Sequence, residues 1–220
     1  MRAAGHKAVR FDILDAKERP GTNFMDLQTD AGFALAIISI LRCKTALVHF
    51  GIKCSSFCVL NMGTSKRSAC NSIGFPEHAS VAYANQLLER TTLLVMLCTA
   101  MDCCWTLEQP AGSFLEYYPC WRALMLAIRC VGGPYAVTTV RFWMGNYGSK
   151  TPKRHYLISN TTVAYLLDKT GRVKYQGNQN LQETQLLVFR VYPVAFGLEM
   201  ERLSEQLRMH RRGCPLAEGD

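Results

Sequence analysis

The chain has 220 residues, 49% of them hydrophobic, which suits one sizeable α/β domain with a buried core. Its ten cysteines come without a secretory leader in MRAAGHKAVRFDIL, and its longest apolar stretches, 33–41 and 92–101, are cut by Arg42 and Asp102 short of the ~20 residues of a membrane span. The expectation is an intracellular protein of a reducing compartment, nucleus or cytoplasm, with no membrane span; a net charge of +8 and a pI near 9.0 favour polyanionic partners, nucleic acid first.

In chain order, AVRFDIL (8–14) reads as a strand ending near Asp12, and the turn-rich AKERPGTN leads to a short apolar stretch, 24–27, that holds Asp26. Thr29 or Asp30 caps a helix through Lys44 with Phe33, Ile37, Ile38 and Leu41 on one face. TALVHFGI (45–52) is a β-branched-rich strand whose glycine turn delivers Cys54 and a serine cluster to its tip, where ligand crevices lie in open α/β sheets. The segment 61–72, rich in Ser, Gly and Asn and carrying the basic pair Lys66 and Arg67, is long enough for a functional loop.

Residues 79–101 repeat apolar side chains at three- and four-residue steps and predict a helix. A brief strand at 104–107 then ends at Glu108-Gln109-Pro110, because proline cannot donate to a ladder, and this puts Glu108 at the strand's tip. A second helix covers 113–131 and stops at Gly132-Gly133-Pro134. Strands at 136–144 and 155–160, joined by the basic turn GNYGSKTPKR, form a hairpin. Residues 1–160 make up the α/β domain, and 161–220 a C-terminal extension with a basic amphipathic helix at 195–212.

Cys54/Cys58 and Cys103/Cys104 lack Cys-x-x-Cys spacing and have no histidines at ligand spacing, so no metal site is expected. His49 lies inside a strand, where a packed histidine is expected rather than a base for Cys54.

Acidic residues at early strand ends, a cysteine after a middle strand, a glutamate before proline after the next, and a terminal hairpin form an ordered set that resembles the cytosine-5 DNA methyltransferases. Lys53-Cys54 matches that family's Pro-Cys, Glu108-Gln109-Pro110 its glutamate motif, and Tyr147-Gly148 through Lys153-Arg154 the turn before its last strand. The resemblance implies a Rossmann-like doubly wound, mostly parallel sheet with a terminal antiparallel hairpin, S-adenosylmethionine as cofactor, and a nucleic-acid substrate. It assigns Cys54 as the nucleophile on carbon 6 of the pyrimidine, Glu108 as the carboxyl that holds the base, and Arg154 beside them, with Lys53 or Arg154 favouring the thiolate. Asp12 and Asp26 become the cofactor contacts, while Lys66, Arg67, Lys150 and Lys153 contact nucleic acid. Three features depart from the family: no glycine-rich turn precedes Asp12, Lys53 replaces the proline, and no target-recognition domain fits after Asn160. The resemblance therefore also implies a truncated or degenerate, non-catalytic relative that acts as a nucleic-acid- or protein-binding module, with weak cofactor binding.

Overall fold

A computed structural model describes residues 11–12, 24–42, 46–149, 152–169 and 192–211. They form an α/β structure around a four-stranded mixed sheet. The elements are α1 (Asp30–Arg42), β1 (Leu47–Phe50), α2 (Met62–Ser65), α3 (Ala79–Ala100), β2 (Cys104–Pro110), α4 (Pro119–Gly132), β3 (Thr138–Trp143), β4 (Arg154–Ser159) and α5 (Val194–Arg211).

The strand order is β1-β2-β4-β3. β1 and β2 run parallel, from Leu47 opposite Cys104 to Phe50 opposite Leu107, with α3 as the crossover between them. β4 lies antiparallel to both β2 and β3. The expected hairpin is present, but its second strand inserts beside β2 and leaves β3 at the sheet's flank. The expectation of a mostly parallel sheet is corrected here: of the three described pairings, only one is parallel.

Helix α3 spans 22 residues, opening on the His78 side chain, which accepts the Ser80 N–H. Thr91, Thr92 and Thr99 sit inside it without an unsatisfied hydroxyl because each donates to the carbonyl four residues back, at 2.7, 2.8 and 2.9 Å. The helix expected over 113–131 is two elements: a 3-10 turn at Phe114–Tyr117, and then α4, which starts at Pro119 because proline's fixed φ and missing N–H suit a first turn. The strand expected at 8–14 falls outside the described residues except for Phe11 and Asp12, which are not in a strand.

Side chains alternate across β2. Trp105 and Leu107 enter a core with α1, α3 and α4 residues such as Ile40, Leu88, Leu94 and Trp121. Cys104 enters a second core on the opposite face, built from Val140, Phe142 and Leu157 of the hairpin and Phe196, Met200 and Leu203 of α5. The described part of 161–220 therefore packs on the sheet: the 3-10 turn Thr162–Leu167 and α5 cover this second face. Periodicity predicted α5 correctly, and its apolar stripe is what binds it there.

Candidate functional site

Cys54 lies just past the end of β1, close enough to Glu108 of the neighbouring β2 to feel its charge. After Phe50 the chain runs through Gly51 to Cys54, whose carbonyl accepts the N–H groups of Phe57 (2.9 Å) and Cys58 (3.0 Å), so the cysteine starts a tight turn. Gln109 ties this turn to β2: its Nε2 donates to the Ile52 carbonyl at 3.0 Å, and its Oε1 accepts from Ser113 Oγ at 3.0 Å.

Glu108 is not at the tip expected of it. It lies inside β2, opposite Leu157, because the ladder continues to Pro110 through pairing with β4. The alternation that sends Cys104 toward α5 sends Glu108 the same way, so its carboxyl group is buried under the start of α5. His155 Nδ1 donates to Oε1, and the Tyr192 hydroxyl donates to Oε2 at 2.6 Å. Tyr192 stacks on Phe196 at 5.1 Å and meets His49 edge-on at 5.7 Å. Its hydroxyl fills the space that a Cβ on residue 51 would need, so any larger residue there would have to displace Tyr192 from Glu108. His49 packs inside the strand as expected, its Nδ1 2.8 Å from Thr106 Oγ1. Burial lowers its pKa and keeps it neutral, and Nε2 of both His49 and His155 is buried without a hydrogen-bond partner among the described residues.

The electrostatics oppose a resting thiolate. Burial, then the nearby Glu108, push the Cys54 thiol up to about 11, and Lys153 is the cation that pulls it back. Burial in turn lowers the Lys153 ammonium to about 8, against the pull of Cys54 and Glu108. The cation beside the thiol is therefore Lys153, the residue expected to contact nucleic acid. Lys53 instead reaches over the Tyr83 ring, 5.5 Å from its centroid. Arg154 is exposed at the start of β4, 5.9 Å from the Trp143 ring. Lys150 lies outside the described residues.

The basic pair after the Cys54 turn divides. Lys66 is exposed, with a left-handed φ of 53° that ends α2. Arg67 was expected on a nucleic-acid surface, but it is 1% exposed. Its Nε donates to the Ser56 carbonyl (3.0 Å), Nη1 to the carbonyls of Ser72 and Ile73, and Nη2 to Ser56 Oγ (2.9 Å) and Asn85 Oδ1 (2.8 Å). The guanidinium also lies 3.9 Å from the centre of the Phe57 ring. Among the described residues it has no carboxylate partner, and burial lowers its pKa to about 10. Arg67 therefore organises the loop after Cys54 from within. Gly74 closes that loop at φ +74°, where a Cβ would lie 2.6 Å from the Ser65 carbonyl oxygen.

Thr29 caps α1, as expected, its Oγ1 accepting the Gly32 N–H at 3.0 Å. Asp26 builds the turn before it: its Oδ1 accepts the Gln28 N–H at 2.9 Å, and its carbonyl accepts from Thr29. Arg90 clamps this turn to α3 through the carbonyls of Leu27 (2.9 Å) and Thr29 (2.7 Å). Asp12 is half-buried, beside Phe11, which packs on the first core. Among the described residues no group of three His, Cys, Asp or Glu side chains could hold a metal, and no described helix is long and apolar enough to cross a membrane.

Sequence reasoning missed His155 and Tyr192. His155 had a signal, since it lies two positions from Leu157 on the strand facing Glu108. Tyr192 had none, because 84 residues separate it from its partner. The chain matches no family model, no curated protein and no solved structure.

Proposed function

We propose that this chain is a methyltransferase-like, Rossmann-type protein of the cytosine-5 kind, acting in its described conformation as a non-catalytic nucleic-acid-binding module. The sheet supports the fold: a parallel pair joined by a helix carries a cysteine just past its first strand and a glutamate within its second, flanked by an antiparallel hairpin whose last strand begins at Arg154. One observation carries the non-catalytic reading. Glu108, which would have to hold the target base, already has both oxygens engaged, by His155 and Tyr192. Cys54 is correspondingly held as a thiol. One Asp26 carboxylate oxygen is taken up by the Gln28 N–H in the turn before α1, which supports weak cofactor binding.

A second reading, catalysis, is favoured by Cys54, Glu108 and Lys153 sharing one electrostatic environment. In it, Tyr192 leaves Glu108 and a base takes its place. The Cys54 sulfur bonds to carbon 6 as its proton passes to solvent and the electron pair of the 5,6 double bond moves into the ring, with the Lys153 ammonium beside the sulfur favouring its thiolate. The two readings separate by trapping. An oligonucleotide containing 5-fluorocytosine, offered with S-adenosylmethionine, should bind without forming a covalent adduct, in the wild type and in Tyr192→Phe alike. An adduct on Cys54 would establish the second reading, and failure to bind any oligonucleotide would end both. Calorimetry with the cofactor alone should give a dissociation constant above about 10 μM, roughly 7 kcal/mol of binding.

A further inference from the structure

The flank of the sheet carries a row of arginines that the crevice does not use. β3 is the last strand of the described sheet, and Val140 and Phe142 point into the α5 core, so Thr139, Arg141 and Trp143 face the α4 side. There α4 and β3 enclose a depression of about 230 Å³, floored by Trp121, Met125 and Ile158 and rimmed by Arg122, Arg129 and Thr139. Arg122 and Arg129 are seven residues apart, two turns, and so share one face of α4 about 10.5 Å apart along its axis. Arg141 follows Thr139 about 6.7 Å along the strand, and Arg154 stands opposite Trp143 at the strand's end. All four arginines are exposed, and none forms an ion pair among the described residues, whereas Arg90, Arg202 and Arg208 do. Glu116 is the one carboxylate in the lining.

We propose that this α4–β3 groove is a docking surface for the phosphate backbone of a nucleic acid. It rests on the nucleic-acid part of the reading above and not on any chemistry at Cys54. Exposed like charges without counterions favour a polyanion, because each cation that neutralises a phosphate releases a condensed counterion, whichever side chain carries the charge. The depression is smaller than the ~300 Å³ at which small-molecule pockets begin. Trp121 is 1% exposed, so the floor offers no open slot for a protein's aromatic anchor. What remains is a shallow charged track, which runs up the flank to Arg154 at the start of β4.

The test is fluorescence anisotropy of a labelled 20-base-pair DNA duplex with the full chain, between 50 and 200 mM salt. The wild type should bind at 50 mM and weaken steeply with salt. The triple variant Arg122→Gln, Arg129→Gln, Arg141→Gln should bind at least about tenfold more weakly at 50 mM, and its log–log salt slope should flatten by roughly 2.7, at about 0.9 per lost phosphate contact. The matching triple lysine variant should stay within about threefold of the wild type, which a folding defect would not allow. An unchanged affinity and slope in the glutamine triple would overturn the groove, as would equal losses in both triples or the absence of binding at 50 mM. If Lys153→Met alone abolishes binding while the glutamine triple retains it, the nucleic acid sits in the crevice, and the groove fails without the broader reading. Polyglutamate displacing the duplex as well as a competing oligonucleotide does would reassign the groove to acidic proteins.

Discussion

The protonation of Cys54 can be read directly from its rate of alkylation. A thiol pushed up to about 11 is roughly 0.03% thiolate at pH 7.5, whereas an ordinary cysteine near 8.5 is about 9%. That difference alone slows reaction about 300-fold. The more basic thiolate is intrinsically more nucleophilic, and with a Brønsted coefficient near 0.45 the 2.5-unit rise returns about 13-fold, leaving Cys54 roughly 20- to 25-fold slower. Pulse labelling with iodoacetamide followed by peptide mass spectrometry should find the exposed Cys70 and Cys130 modified well before Cys54. The Cys54 rate should climb close to tenfold per pH unit up to about pH 10. Glu108→Gln removes a charge that raises the thiol and should speed labelling at pH 7.5, while Lys153→Met removes the cation that lowers it and should slow labelling further. A Cys54 rate that levels off below pH 9, or that ignores both substitutions, would refute the electrostatic account of the crevice.

Other consequences follow from the same contacts. His49 is buried with its pKa lowered, so the folded state binds a proton less readily than the unfolded one. Its stability contribution is complete above about pH 6.5 and declines as the pH falls below that value, so melting temperatures measured from pH 7 to 5 should fall for the wild type and flatten in His49→Gln. Arg67→Ala strips donors from buried carbonyls of Ser56, Ser72 and Ile73 and should cost at least about 3 kcal/mol in urea unfolding; a loss under about 1 kcal/mol would mean that the loop does not depend on it. Phe196 is 1% exposed and stacks on Phe142 and Tyr192, so Phe196→Ala should cost about 3–5 kcal/mol. It should also loosen Tyr192 from Glu108, read as faster alkylation of Cys54.

The existence of the main helices and strands was legible in the chain because each rests on a local pattern. The apolar steps of 79–101 yield α3, Pro119 starts α4, Pro110 ends β2, and the basic turn before Arg154 joins an antiparallel hairpin. The strand–helix–strand order even implies the parallel β1–β2 pair, because a crossover helix leaves little alternative. The site was legible only in part. Period-two alternation determines that Glu108 shares a face with Cys104 and Thr106, but not which element covers that face. Only the tertiary structure brings α5 there, and with it the Tyr192 hydroxyl and the stacked Phe196. Burial likewise decided charge: adjacent in sequence, Lys66 stays in solvent while Arg67 is enclosed by carbonyls, and Lys153 turns inward to Cys54 while Arg154 faces out. Local propensity carries backbone periodicity, whereas desolvation and partnering depend on neighbours tens of residues away, so the chemistry of each ionisable group was settled by the fold.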